Sequence, residues 1–176
     1  MLFADVRGST ALAESMSTRE FQSLMTRFYG AANQVLVHTD AFVDKLVGDE
    51  VIGLYIPGIA GEDHARRAID GAKELLRATG HGRKGGPWVP VGVGVHTGEI
   101  YLGTVGAEGT YTDFSMLGDP VNVTARLASN AAEGEVLVSD DARAAASYDV
   151  GGAEQRDLSL KGRDESVNVS VLHAAE

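Results

Sequence analysis

The sequence predicts an α+β domain in which helices pack on a mainly antiparallel sheet. Its apolar periodicity gives the order strand, helices, strand pair, helix, strand pair, helix, strand. The opening strand–helix–strand–strand–helix–strand run is typical of a ferredoxin-like βαββαβ core. The chain has 176 residues, of which 44% are hydrophobic and 23% charged, and this fits one domain with one core.

The first part of the chain supplies a strand, a long helix and a hairpin. Residues 2–6, LFADV, predict a buried strand, and a helix begins near Ser9. The segment STRE at 17–20 is a capping box, and the apolar residues behind it have helical spacing with one polar face. AFVDKLV and EVIGLYI then predict two strands of a hairpin joined at Gly48 and Asp49.

The second part adds helices and further strands. EDHARRAIDGAKELLRATG predicts an amphipathic helix with Gly80 as its stop. WVPVGVGVHTG and EIYLGTVG predict another strand pair, and the next segment, AEGTYTDFS, predicts a loop. DPVNVTARLASNAA predicts a helix with Pro120 in its first turn. GEVLVS predicts a strand, DDARAAAS a short helix, and residues 156–172 the last strands.

Composition excludes several classes of function. The net charge of −10 would repel a nucleic-acid backbone or an anionic membrane, so we expect neither as a partner. The absence of cysteine excludes disulfides and thiolate metal sites. No signal peptide and no apolar run of about 18 residues is present, so we expect a cytoplasmic domain, although the full-length protein could be membrane-anchored. Because the chain opens inside a strand, we also expect upstream residues and a regulatory module.

Two aspartates are candidates for a metal site. Asp5 ends the first strand and Asp49 lies in the hairpin turn, and these two elements can be neighbours in such a sheet. Two adjacent carboxylates repel each other unless a cation compensates, and hard oxygen ligands favour Mg²⁺ or Mn²⁺. The alternative is structural, with Asp5 capping the next helix and Asp49 making the turn.

Three other motifs carry polar groups. In RGST at 7–10, Gly8 permits close backbone approach and the N–H groups of the helix start suit phosphate oxygens, although many such segments are only turns. In GDPVNVTAR, Asn122 and Arg126 share one helix face; burying them would be costly without partners, and the alternative is an exposed polar face. Lys161 in LKGRD, taken alone, is a surface lysine.

Together these segments resemble the catalytic domain of the class III nucleotidyl cyclases, the adenylate and guanylate cyclases. The resemblance covers nearly the whole chain and rests on FADVRGST, DKLVGDEVIGLY, VGVGVHTGEIYLGTVG, LGDPVNVTARL and LKG, in family order. It implies the class III cyclase fold over residues 1–176. It also implies conversion of a nucleoside triphosphate into a 3′,5′-cyclic monophosphate and pyrophosphate, by in-line attack of the ribose 3′-hydroxyl on the α-phosphorus.

The resemblance implies a site with two divalent cations, Mg²⁺ or Mn²⁺. Asp5 and Asp49 match the metal-binding aspartates, and the backbone carbonyl of Val6 matches a further ligand. One ion would lower the pKa of the 3′-hydroxyl while the other neutralises the triphosphate. The amides that would hold the β- and γ-phosphates are those of Gly8, Ser9 and Thr10.

The remaining roles also follow from the resemblance. Arg126 matches the arginine that stabilises transition-state charge, Asn122 the residue that orients the ribose, and Lys161 a lysine that contacts the triphosphate. Lys45 matches the lysine that reads adenine; guanylate-selective members usually carry Glu there, so Lys45 favours ATP. In this family the aspartates of one subunit face Asn122, Arg126 and Lys161 of the other, which implies a homodimer with two shared sites.

The sequence departs from the family pattern at two positions. Ser115 stands where the partner of the adenine-reading lysine is often Asp or Thr, which implies a looser choice of base. Gly92 stands where many relatives carry an arginine aimed at the triphosphate, and Arg7 is a candidate substitute. The alternatives are a catalytically inactive cyclase-like domain that binds nucleotide or only dimerises, a guanylate cyclase, and a diguanylate cyclase. The last is an alternative because the segment VGDEVI resembles the GGDEF turn of the diguanylate cyclases.

Overall fold

A computed structural model describes residues 1–106, 112–159 and 166–174 of the chain. Its strands are β1 (Leu2–Val6), β2 (Phe42–Val47), β3 (Glu50–Leu54), β4 (Val91–Val95), β5 (Tyr101–Gly106), β6 (Thr112–Leu117), β7 (Glu135–Ser139), β8 (Glu154–Leu158) and β9 (Val167–His173). Its helices are α1 (Ser9–Ser15), α2 (Thr18–His38), α3 (Pro57–Ala60), α4 (His64–Ala78), α5 (Asp119–Asn130) and α6 (Asp140–Ala146).

The main sheet confirms the predicted α+β architecture. Its seven strands lie in the order β2-β3-β1-β4-β7-β9-β8, and only the β4–β7 pair is parallel among the pairs described. The run β2-β3-β1-β4 is the sheet order of a ferredoxin-like βαββαβ core, so that prediction is also confirmed. This order places β1 in the middle, between β3 and β4.

One face of the sheet is covered by α2 and α4. The capping box that opens α2 forms as predicted, with the Ser17 backbone N–H donating to Glu20 Oε2 at 2.8 Å. The buried side of α2 is apolar and includes Met25, Phe28 and Leu36. It packs against the β1 residues that point to this face, and these are Leu2, Ala4 and Val6.

The other face carries α5, which lies directly on β4. A Cβ at Gly94 would lie 2.4 Å from the Ala128 backbone N, and one at Gly98 would lie 2.5 Å from Pro120 Cγ. Since no side chain fits at these places, the glycines of VGVGVHTG are what allow the helix to approach the strand. Phe3 and Asp5 alternate with the residues that face α2 and so point to the α5 side.

The predicted pairing of β4 with the following strand is wrong. Both edges of β4 are taken, by β1 and by β7, so β5 has no place beside it. Instead β5 pairs with β6 in a separate two-stranded sheet, with Ser115 opposite Gly103. The predicted loop AEGTYTDFS is therefore a strand from Thr112 onward, while residues 107–111 lie outside the described chain. The alternation of apolar and polar residues predicted that strands are present but not which strands pair with each other.

Among the described residues, none of the helices combines the length and the apolar character that crossing a membrane requires.

Candidate active site

Asp5 and Asp49 come together at the end of β1. Asp5 lies opposite Glu50 of β3 in the antiparallel register, and the Val6 N–H donates to the Asp49 carbonyl oxygen at 3.1 Å. Burial raises the pKa of Asp5 above its usual value; the Arg7 charge opposes this increase, and the Asp49 charge adds to it. The expected meeting of the two carboxylates is therefore observed within one chain.

The turn that carries Asp49 is held by two hydroxyl groups. The Ser9 hydroxyl donates to Asp49 Oδ2, and the Tyr29 hydroxyl of α2 donates to the Gly48 carbonyl oxygen. Gly48 has φ 62°, a left-handed conformation that favours glycine in a two-residue turn. The apolar spacing of α2 puts Tyr29 on the inward side of the helix, and its contact with the turn depends on how the helix packs on the hairpin.

Arg7 lies beside Asp5 and forms an ion pair with it. Its guanidinium also donates to the Ser129 carbonyl oxygen at 2.8 Å, at the end of α5. At Gly92, the position across from Asp5 on β4, a Cβ would lie 2.7 Å from the Ala131 carbonyl oxygen. The end of α5 thus excludes an arginine from position 92, and the Arg7 guanidinium occupies the adjacent space.

Glu50 is a third carboxylate at the same place. It is half-buried, and burial raises its pKa, with the charges of Asp5 and Asp49 adding to the increase. No role was predicted for Glu50 from the sequence. Its position opposite Asp5 in the register, once the strands are paired, could have identified it.

The predicted phosphate turn lies next to these carboxylates. Gly8 precedes α1 with φ 65°, and the first N–H groups of a helix have no acceptor within the helix. An open pocket of about 450 Å³ is lined by Ser9, Thr10 and Asp49, among others. Anionic oxygens could therefore approach the start of α1 and the aspartates together.

Asn122 and Arg126 lie elsewhere in the same chain. They share a face of α5 on which Asn122 is exposed and Arg126 half-buried. Within the described residues, neither side chain forms a hydrogen bond or an ion pair with Asp5 or Asp49. The structure therefore brings the aspartates together and leaves the Asn122–Arg126 face available on the surface.

The predicted base-reading residues occupy neighbouring elements. Lys45 lies in β2 with its Cα opposite Ile52, but its side chain is outside the described part of the chain. Ser115 is half-buried on β6. The rings of Phe42 and Phe114 meet at 6.2 Å between centroids and join β2 to β6. Lys161 lies outside the described residues.

The oxygen atoms of Asp5, Asp49 and Val6 fit the coordination of divalent cations when substrate oxygens supply the remaining ligands. Within the described ranges, no group of three or more His, Cys, Asp or Glu residues could hold a metal ion. Asp5, Asp49 and the Val6 carbonyl offer hard oxygen donors, and the mutual repulsion of the carboxylates favours a cation between them. A site with few protein ligands suits Mg²⁺, which is usually bound by one or two carboxylates together with substrate phosphates.

Comparisons with known proteins agree with this fold. The sequence model of the family described as "Adenylate and Guanylate cyclase catalytic domain" matches residues 1–173. An adenylate cyclase of Anabaena cylindrica is 30% identical over 133 residues, which cover 72% of this chain and 26% of that protein. An adenylate cyclase of Mycobacterium bovis is 27% identical over 93% of this chain and 37% of its own length. The matched part of the chain thus spans 26% and 37% of the length of these two relatives.

Solved structures show the same fold. A guanylyl cyclase crystal structure superposes with a TM-score of 0.82 and 27% identity, covering 97% of this chain and 88% of the other. An adenylyl cyclase from P. aeruginosa gives a TM-score of 0.78 at 24% identity, covering 97% and 91%. The resemblance noted in the sequence is confirmed, and the chain belongs to the adenylate and guanylate cyclase catalytic-domain family.

Proposed function

We propose that the chain is the catalytic domain of an adenylate cyclase, which converts ATP into 3′,5′-cyclic AMP and pyrophosphate in the cytoplasm. The ribose 3′-oxygen forms a bond to the α-phosphorus as the bond from that phosphorus to the β-phosphate oxygen breaks. The 3′-hydroxyl proton passes to solvent water, and pyrophosphate leaves. The observation that carries this proposal is the meeting of Asp5 and Asp49 beside the start of α1.

Asp5, Asp49 and the Val6 carbonyl would hold two Mg²⁺ or Mn²⁺ ions. When bound, such ions lower the pKa of the attacking hydroxyl and neutralise charge on the triphosphate. Ser9 fixes the orientation of the Asp49 carboxylate through its hydroxyl. In the absence of other cations, the ion pair with Arg7 neutralises the charge of Asp5. When Asp5 binds a metal ion instead, the Arg7 guanidinium would become available to the triphosphate. This supports Arg7 as the substitute for the arginine that Gly92 excludes.

Asn122 and Arg126 would act in the site of a second copy. Arg126 would stabilise the charge that develops on the phosphoryl oxygens, and Asn122 would position the ribose. Two features support this arrangement. Among the described residues, neither side chain forms a hydrogen bond or an ion pair with the aspartates of its own chain, and the β5–β6 hairpin exposes large apolar side chains that a second copy could cover. These are Tyr101, Val105, Phe114 and Leu117.

We further propose that Lys45 and Ser115 read the base and that ATP is preferred over GTP. A lysine can only donate, which suits acceptor atoms of adenine, whereas the Ser115 hydroxyl can both accept and donate. It could accept from the adenine amino group or donate to the guanine carbonyl oxygen. Guanylate cyclase activity is the second candidate, favoured by the 27% identical guanylyl cyclase structure.

The direct test is to incubate the purified chain with ATP or GTP and Mn²⁺ or Mg²⁺ and to measure the cyclic product. We expect cyclic AMP, with a higher kcat/KM for ATP than for GTP. A higher value for GTP would make the protein a guanylate cyclase. No cyclic product from either nucleotide, in a preparation verified as dimeric, would leave an inactive nucleotide-binding or dimerisation domain.

The shared site has its own test. Asp49→Ala and Arg126→Ala variants should each lose nearly all activity, because each lacks one half of both sites. Mixing them in equal amounts forms heterodimers with one intact site of two, so activity should recover to about a quarter of wild type for statistical pairing. If heterodimers form and activity does not return, the two residues do not serve opposite halves of one site.

Base choice is tested at two positions. We expect Lys45→Glu to move kcat/KM toward GTP by about tenfold or more, because a carboxylate accepts from the guanine ring N–H and amino groups instead of donating. Ser115→Asp should sharpen the ATP preference, and Ser115→Ala serves as its control. An unchanged ATP/GTP ratio in both charged variants would remove Lys45 and Ser115 from base recognition.

A further inference from the structure

A second pocket, which we call the α4 pocket, lies between α4 and the segment that leads from α6 into β8. Its volume is about 540 Å³, and its lining includes Arg66, Lys73, Tyr148, Val150 and Leu172. None of its lining residues belongs to the candidate active site. The α4 pocket is therefore a cavity separate from the candidate active site.

Lys73 is the unusual residue of this pocket. Only 9% of its surface is exposed, and among the described residues neither a hydrogen bond nor an ion pair reaches its ammonium group. Among the described residues, Lys73 Nζ is not one of the fully buried polar atoms without a partner, so the methylene groups are buried while the ammonium group keeps contact with solvent. Because Lys73 lines the pocket, its ammonium group can meet an anion that enters it.

Arg66 supplies a second cation on the same wall. It lies seven residues before Lys73, two helical turns, so the two side chains project from the same face of α4, about 10 Å apart along the axis. Its guanidinium lies 5.2 Å above the Tyr148 ring and donates to the Ser147 carbonyl oxygen at 3.4 Å. These contacts hold Arg66 at the pocket without neutralising it.

The nearby carboxylates are already engaged. Asp149, which also lines the pocket, accepts from the Gly151 N–H at 2.9 Å, and Asp70 accepts from the Tyr148 hydroxyl at 3.1 Å. These hydrogen bonds leave both carboxylates charged, and within the described residues neither forms an ion pair with Lys73 or Arg66. The two cations are therefore available to a small anion, whereas the net charge of −10 would repel a large anionic surface.

We propose that the α4 pocket binds a small oxyanion, through a phosphate or carboxylate group placed between Lys73 and Arg66. The inference is independent of the proposed cyclase activity, because it uses no residue of the candidate active site. The apolar part of the lining, Val150 and Leu172, would contact any carbon skeleton that the ligand carries.

The test uses inorganic phosphate and succinate in separate titrations of the whole chain, without metal or nucleotide and at constant ionic strength against KCl. Binding is followed by calorimetry and by the amide NMR signals of residues 147–153. We expect saturable binding of at least one anion, and the comparison tells phosphate from carboxylate. Lys73→Gln should weaken it at least tenfold and Arg66→Gln at least threefold, while exposed Lys84→Gln, outside the pocket, leaves it unchanged.

Equal affinity in Lys73→Gln, or signals that shift only at residues 8–10, would overturn the proposal, as would no saturable binding of either anion. If Lys73→Gln does not fold, exposed Arg66→Gln decides the question.

Discussion

At the residue scale, charged side chains are concentrated around the Gly48–Asp49 turn. Asp5, Asp49 and Glu50 lie close together there, and Arg7 forms an ion pair with Asp5. The turn therefore carries more negative charge than a hairpin requires. An arrangement of this kind favours cation binding at the expense of the stability of the metal-free protein.

Glu50→Gln should stabilise the metal-free protein at neutral pH. The folded state raises the pKa of Glu50, so ionised Glu50 costs stability above that pKa, whereas glutamine never ionises. We expect a gain of roughly 0.5–1 kcal/mol at pH 7. It should vanish as the pH falls below the ordinary value of 4.5, where Glu50 is protonated in both states. Thermal unfolding across this pH range measures the effect.

Saturating Mn²⁺ provides the control for that prediction. If cations bind at Asp5 and Asp49, they relieve the same repulsion, and the advantage of Glu50→Gln should shrink. A gain that is equal at pH 4 and pH 7 would show that the substitution acts through packing and not through charge.

At the scale of elements, the contact between α5 and β4 positions Asn122 and Arg126. The helix lies against the strand backbone at Gly94, where an added Cβ would also lie 2.7 Å from the Thr124 carbonyl oxygen. Backbone atoms on both sides cannot move as a flexible side chain can. The placement of α5 is therefore sensitive to one methyl group.

Gly94→Ala should destabilise the protein by about 1–3 kcal/mol, because the helix must shift to accept the methyl group. Activity should fall further than stability, by about a hundredfold, since an ångström of displacement at Arg126 disturbs the reacting geometry. Urea unfolding and the cyclase assay measure the two effects.

Gly30→Ala is the matched control for that substitution. Gly30 lies exposed within α2, and an added Cβ would meet no atom within 4 Å. Alanine there should stabilise the protein by about 0.5–1 kcal/mol and leave activity unchanged. If Gly94→Ala behaved like Gly30→Ala, close packing of α5 on β4 would not be what positions the Asn122–Arg126 face.

At the scale of the whole molecule, the β5–β6 hairpin extends beyond the core with apolar side chains on its surface. Tyr101, Phe114 and Leu117 are about half exposed, at 55%, 48% and 51%. Such a patch marks an interface more often than a free surface. The proposed homodimer would cover it and would bring the α5 face of one copy to the aspartates of the other.

Phe114→Ser should therefore weaken the dimer and reduce activity at low protein concentration, with recovery as the concentration rises. Sedimentation and the cyclase assay over the same concentrations should give matching midpoints. Ile59→Ser is the control, because Ile59 is 57% exposed on α3 outside the hairpin. A fully dimeric Phe114→Ser protein with wild-type activity would place the interface elsewhere.

The sequence by itself determined the local elements and the meeting of the two aspartates. The capping box and the apolar periodicity act over a few neighbouring residues, and the ferredoxin-like strand order leaves β1 and the β2–β3 hairpin side by side. The five motifs also predicted the family. The roles of Lys45, Ser115 and Lys161 remain predictions.

Only the tertiary structure decided which strands pair, which charges meet and which polar groups are buried. The pairing of β5 with β6 depends on β1 and β7 occupying both edges of β4. The contact of Arg7 with the end of α5 and the burial of Lys73 depend on elements far apart in the chain. Periodicity cannot show these features, because it records the face on which a residue lies but not the element that packs against that face.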